Sequence, residues 1–191
     1  MGLVGGVGVR RHGRVGLCGH PGLLAERVRF MEHENAESWD RLLAPLVGLG
    51  GGLIPLVAGL ESLSDTPATF SLPVRIVALV IILAGYALAS YALIENRFFS
   101  GMVRIQSDRG HKVVSSGPYR WMRHPGYAGA LLTYLATPLL LDAPWAFLPV
   151  VFIAIVLVIR TRLEDGTLQD RLEEYRDHAR RVRYRLLPGV W

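Results

Sequence analysis

Residues 76–94 read IVALVIILAGYALASYALI, nineteen residues without a charge. A helix rises 1.5 Å per residue, so this stretch reaches about 28 Å, close to the hydrocarbon thickness of a bilayer. Three more uncharged stretches follow the same logic: 42–60, 125–141 and 143–159. The last two are parted only by Asp142, which reads as the tip of a tight helical hairpin at Asp142-Ala143-Pro144. At 17 residues each they are short for a span and draw on flanking residues or a thinned bilayer. Gly48, Gly50, Gly51 and Gly52, with Pro45 and Pro55, would break a soluble helix. In lipid the backbone must close its own hydrogen bonds, and small residues let helices approach closely. The pattern predicts an all-α integral membrane protein with four transmembrane helices, a cytosolic loop and a C-terminal amphipathic helix.

The basic residues orient the spans. Six precede residue 42, six lie in 96–124 and eight follow residue 159, leaving only Arg75 of the 21 Lys and Arg elsewhere. The loop 61–73 carries Glu61 and Asp65 and no Lys or Arg. The positive-inside rule then places both termini and loop 96–124 in the cytosol, in a multi-pass protein of the cell inner membrane. The net charge of +5 and pI of about 9.8 fit an anionic lipid surface, and the four apolar blocks favour lipid over nucleic acid as partner. One cysteine, Cys18, excludes an intrachain disulfide and a Cys-based zinc site. His111 and His124 are too far apart, with no Cys nearby, to suggest a metal. Residues 1–22 lack the apolar core of a signal peptide and read as a mobile tail before a single domain, 23–191.

Chemistry is expected in the cytosolic segments. Loop 96–124 reads NRFFSGMVRIQSDRGHKVVSSGPYRWMRH. Val103–Gln106 suits a short strand, while Asp108-Arg109-Gly110 and Ser116-Gly117-Pro118 are turn signals. Spacing alone also permits a solvated basic loop with Tyr119 and Trp121 as interfacial anchors. Beyond the last span, Leu168, Leu172, Tyr175, Ala179 and Val182 share one helical face opposite arginines, a membrane-surface helix over 168–187. Arg160 and Glu164 stand one turn apart. An i,i+4 ion pair and a paired functional role are both open there.

Taken together, His111-Lys112-Val113-Val114, Ser116-Gly117-Pro118-Tyr119, Arg123-His124-Pro125-Gly126-Tyr127 and Arg160-Thr161-Arg162-Leu163-Glu164-Asp165 resemble the isoprenylcysteine carboxyl methyltransferase family and its bacterial relatives. The tail resembles it at Glu174-Tyr175 and Arg181-Val182-Arg183-Tyr184-Arg185-Leu186-Leu187-Pro188. The resemblance implies S-adenosylmethionine held without a Rossmann domain, by Gln106, by His111, Lys112, Val113 and Val114, by Tyr119, by His124, Pro125, Gly126 and Tyr127, and by Glu164. It implies that Arg160 faces the acceptor, and that the reaction is carboxyl O-methylation of an amphiphilic or prenylated acceptor reached through the bilayer. Ionised carboxylate needs no general base, so no catalytic proton acceptor is expected. Phospholipid N-methylation, an NADPH-dependent sterol-type reductase and a non-enzymatic membrane scaffold are the rival expectations. Leu23-Leu24-Ala25-Glu26-Arg27 and Ser38-Trp39-Asp40 look like the connector after an N-terminal membrane helix of longer relatives, a helix that residues 1–20 do not supply.

The topology is testable in intact cells. With Cys18 replaced, Ser64→Cys is expected to react with a membrane-impermeant maleimide from outside. Ser115→Cys is expected to react only after permeabilisation, and its labelling from outside would overturn the orientation.

Overall fold

A computed structural model describes residues 36–64 and 68–191. Its helices are α1 (Asp40–Glu61), α2 (Leu72–Glu95), α3 (Pro125–Leu141), α4 (Phe147–Arg171) and α5 (Glu173–Arg181), with 3-10 turns at Ser107–Arg109, Gly117–Arg120 and Pro144–Ala146. Three runs are long and apolar enough to cross a membrane: Asp40–Glu61, Leu72–Glu95 and Pro144–Arg171. α3 is shorter, at 17 residues. The N-terminal arginines through Arg29, and the connector at 23–27, lie outside the described residues, as does the tail 1–22.

Close helix contact is bought with missing side chains. A Cβ on Gly129 would stand 2.5 Å from the Gly85 carbonyl oxygen and 2.8 Å from the Ala89 nitrogen. One on Gly85 would stand 2.6 Å from Thr133 Oγ1. α2 and α3 therefore touch backbone to backbone, with Ala78, Ile82 and Ala136 packed further along. α1 meets α4 through Gly50 against Ile153 and through Ile54, Ala58 and Val150.

The hairpin tip forms where the lone charge interrupts the apolar run. Asp142 adopts a left-handed conformation with φ 57° and ends α3. Its Oδ1 accepts the backbone N–H of Thr69 (3.0 Å) and Phe70 (2.7 Å), and Glu61 Oε2 accepts that of Trp145 (3.1 Å). At the hairpin end, Asp142 thus ties α3 to the start of α2, and Glu61 ties α1 to the turn before α4. At the other end α4 continues past Ile159 for three more turns, carrying Arg160, Glu164 and Asp165 beyond the apolar stretch.

Two sequence expectations are corrected. No strand forms at Val103–Gln106 or elsewhere among the described residues. The Val103 N–H donates to Asp40 Oδ2 and its carbonyl accepts from Glu37 N, so no ladder partner remains. The helix expected over 168–187 is instead two pieces: α4 runs to Arg171, Leu172 is extended (φ −123°, ψ 101°), and α5 has only nine residues. The break lets the tail fold back onto the protein, burying Tyr175 and His178.

Gly129→Ala should destabilise the protein by about 1–3 kcal/mol, the cost of overpacking a filled contact. Gly52→Ala, where a Cβ meets nothing within 4 Å, should be neutral or slightly stabilising. Thermal unfolding in one detergent, read for both variants, checks the contrast.

Candidate cofactor-binding cavity

The chain leaves α2 at Asn96, whose Oδ1 accepts the Phe98 N–H at 2.9 Å and turns the loop back over the helix ends. Asn96 Nδ2 donates to the Tyr119 hydroxyl, which donates to the Ala92 carbonyl, both at 3.3 Å. Gln106 braces the loop from within: Nε2 donates to the Phe98 carbonyl (2.6 Å), and Oε1 accepts from Arg109 (2.8 Å). The His111 ring lies 4.6 Å from that of Phe98. Gly110 and Gly117 take positive φ values of 60° and 54°, which lets the loop reverse twice. Tyr119 is 7% exposed and Trp121 63%, so only the tryptophan stands out as an interfacial anchor would. The solvated-loop alternative does not describe this compact segment.

Asp165 gathers the remaining pieces. Its carboxylate is wholly buried and forms a two-bond fork with Arg123 at 2.7 and 3.0 Å. It also accepts from Tyr175 (3.0 Å), Arg185 (3.0 Å) and Gln169 (2.9 Å). Arg123 Nη1 then caps the Val182 and Arg183 carbonyls at 2.7 and 3.2 Å. The backbone N–H groups of Arg123 and His124 donate to the carbonyls of Tyr184 and Arg185, both at 2.9 Å. The loop, α4, α5 and the tail are all held by one carboxylate and one guanidinium.

Between these walls lies a cavity of about 790 Å³, its open mouth included. His111, Lys112, Val113, Val114, Tyr119, His124, Gly126, Tyr127 and Glu164 all line it. These nine residues span 54 positions of sequence and meet at one place. Three other expected residues do not line it. Gln106 is 1% exposed and spent on the loop; Pro125 is buried at the first turn of α3, behind the wall; Arg160 sits behind Tyr127. The wall also includes Phe98, Met102, Leu168, Leu172 and His178, which the motifs do not single out, and Tyr175, which they name without a role in the site. The i,i+3 pair Tyr175 and His178 was the available signal, hidden by the expectation that this face meets lipid.

Arg160 and Glu164 do not pair with each other. Arg160 forks onto Asp40 with Nε (2.7 Å) and Nη2 (2.9 Å), and Nη2 also reaches the Gly101 carbonyl (2.7 Å). Glu164 Oε2 accepts the Tyr127 hydroxyl at 2.7 Å. The Tyr127 ring stacks on His124 with 4° between planes and lies 5.3 Å from the Arg160 Cζ.

Burial and then the Arg109 charge lower the His111 pKa, so its ring is kept neutral. Burial lowers that of His178 as well, helped by Arg181, Arg123 and His124 and opposed by Asp165. Burial pushes the Tyr119 hydroxyl up to about 12, with its Asn96 bond opposing and the charges of Glu164 and Glu95 adding. At neutral pH the imidazoles of His111 and His178 and the hydroxyl of Tyr119 are neutral, and the wall's charged groups include the carboxylate of Glu164, the ammonium of Lys112 and the guanidiniums of Arg104 and Arg123.

A cavity of mixed polar and apolar lining, capped by a folded loop at one end of an apolar helical bundle, defines an integral membrane protein with a candidate ligand site at one end of its helices. The chain belongs to the isoprenylcysteine carboxyl methyltransferase family. The family model of that name matches residues 76–170. The uncharacterized protein YpbQ of Bacillus subtilis (strain 168) is 33% identical over 119 residues, covering 61% of this chain and 67% of that protein. The probable protein-S-isoprenylcysteine O-methyltransferase of Oryza sativa subsp. indica is 36% identical over 72 residues, covering 37% of this chain and 38% of the rice protein. In fold, the structure is similar to that of the eukaryotic intramembrane Ras methyltransferase of this family, with a TM-score of 0.63 at 19% identity, over 76% of this chain and 53% of that one. The chain thus spans about half or less of the length of those two methyltransferases.

Asp165→Asn should lose about 3–5 kcal/mol, because Arg123 is left buried without its counter-charge. Chemical denaturation measures the loss, and limited proteolysis should show cleavage after residue 171 appearing in the variant before the wild type.

Proposed function

We propose that this chain is an S-adenosylmethionine-dependent membrane methyltransferase that esterifies the carboxylate of an amphiphilic acceptor of the isoprenylcysteine type. The observation that carries the reading is the meeting of His111–Val114, Tyr119, His124, Gly126, Tyr127 and Glu164 on one cavity. The names of the rice and Arabidopsis thaliana relatives, protein-S-isoprenylcysteine O-methyltransferases, support it. The reading includes four spans, α3 being the third, with both termini and the cavity on the cytosolic side of an inner membrane.

The cavity suits the cofactor. Glu164 is the one carboxylate on its wall among the described residues, and it favours a ligand carrying ammonium and sulfonium charge. Lys112 and the neutral His111 offer donors to a carboxylate at another point of the wall. Phe98, Val113, Val114, Leu168 and Leu172 offer apolar surface to a flat heterocycle. When bound, S-adenosylmethionine supplies an electrophilic methyl group on sulfur.

What the protein contributes is placement. In-line displacement gains most from holding both reactants in line. Tyr127 fixes Glu164 through its 2.7 Å hydrogen bond and stacks on His124, so these three side chains orient one another. The folded loop and α5 supply part of the cavity wall. An acceptor carboxylate is already ionised at neutral pH and needs no base, only a cation to place it. Arg160, behind Tyr127, is that cation in this reading.

Calorimetry on detergent-purified protein tests the cofactor assignment. Wild type should bind S-adenosylmethionine, and Glu164→Gln should weaken it roughly 10- to 150-fold, the loss of one charge-assisted contact. His124→Ala should weaken it as well. A folded wild type that binds none, or variants that bind as wild type does, would refute the site. Methyl transfer is then screened over prenylated cysteine, fatty acid and aminophospholipid acceptors.

A further inference from the structure

We infer that Asp40 is a positioning residue that keeps Arg160 away from Glu164 and turns one chosen edge of its guanidinium toward the acceptor's carboxylate. The inference rests on the reading of Arg160 as the acceptor's partner.

A guanidinium has five N–H groups in a fixed plane. The Nε–H and one Nη2–H of Arg160 go to the two oxygens of Asp40, and Nη2 also serves the Gly101 carbonyl. Those bonds occupy one whole edge and leave the Nη1 edge. The group lies against Tyr127, which forms cavity wall. Asp40 itself cannot swing: its side chain is fully buried, and Oδ2 also accepts the Val103 N–H at 2.6 Å. That bond fixes the loop at Met102 and Val103, two further wall residues.

Charge placement gives the arrangement its purpose. Arg160 and Glu164 are one helical turn apart, the spacing at which opposite charges on a helix attract. Direct pairing would neutralise both and leave neither for a ligand. Asp40, arriving from the first turn of α1, satisfies Arg160 from the opposite side, and Glu164 accepts the Tyr127 hydroxyl, with His124 Nδ1 4.0 Å away. The helix thus presents an anionic and a cationic group side by side without their cancelling. A reaction that joins a cationic methyl donor to an anionic acceptor requires that combination.

The test uses a binding preference. Affinities for N-acetyl-S-farnesyl-cysteine and its carboxamide are measured on full-length protein saturated with S-adenosylhomocysteine, which prevents turnover. Wild type should favour the carboxylate by about 10- to 100-fold, as expected of a charge-assisted contact. Asp40→Asn should reduce that preference to a few-fold while S-adenosylhomocysteine affinity stays near wild type. Arg160→Met should abolish it, and adding Asp40→Asn to Arg160→Met should change nothing more, the mark of a residue acting through another. Where Asp40→Asn does not fold, Asp40→Glu takes its place, since the added methylene displaces the guanidinium while keeping the charge. Full carboxylate preference in the folded Asp40 variant, or an equal loss in both Arg160 backgrounds, would overturn the inference. A wild type that binds S-adenosylhomocysteine but shows no carboxylate preference would instead refute the role of Arg160, and this inference with it. No cofactor-product binding at all would refute the proposed function.

Discussion

The fork between Asp165 and Arg123 is the interaction on which the rest of the site depends. A carboxylate taken wholly out of water is costly unless its lone pairs are filled. Here they are filled by residues from four different segments: Arg123 from the loop, Gln169 from α4, Tyr175 from α5 and Arg185 from the tail. Arg123 and Arg185, far apart in sequence, are thereby brought to the same carboxylate. Satisfying one charge therefore assembles this half of the protein, and the cavity is the space left between the assembled walls. A second carboxylate, Asp40, repeats the device with Arg160 and the Val103 amide. Both arginines lie near the polar ends of helices, where the backbone alone offers little to hold a loop in place.

The apolar part of the fold was legible because lipid imposes one simple demand. Uncharged runs of the right length announce themselves, and the helices fall where those runs fall. The hairpin tip at Asp142 was legible for the same reason, since a lone charge between two apolar runs has only the bilayer surface to go to. Residues carried by motif, such as His111–Val114 and His124 to Tyr127, were legible as a group, and the structure brings most of them together.

What stayed hidden depended on partners distant in sequence. Periodicity assigned Tyr175 an apolar face but could not say that Asp165, ten residues back, would claim its hydroxyl. It set Arg160 beside Glu164 but could not see Asp40, 120 residues away, intervening. Val103–Gln106 has the composition of a strand, yet a strand needs a neighbour, and a carboxylate occupies the Val103 amide that a neighbour would have used. Gln106 carries a motif-like position, but its amide is consumed within the loop itself.

The brevity of α3 has a mechanical consequence. Its 17 residues reach about 26 Å, a few ångströms less than a typical hydrocarbon core of roughly 30 Å. With α3 crossing the bilayer, lipid must pinch inward around the helix, at a small cost per ångström. The N-terminus of α3 carries His124 and Tyr127, and its tip is tethered by Asp142 to the segment before α2. The pinch is therefore transmitted to the cavity rim. In the proposed four-span reading, membrane thickness then sets how deep the rim sits among the headgroups, so the local lipid mixture acts as a dial on how readily the proposed amphiphilic acceptor meets the cavity.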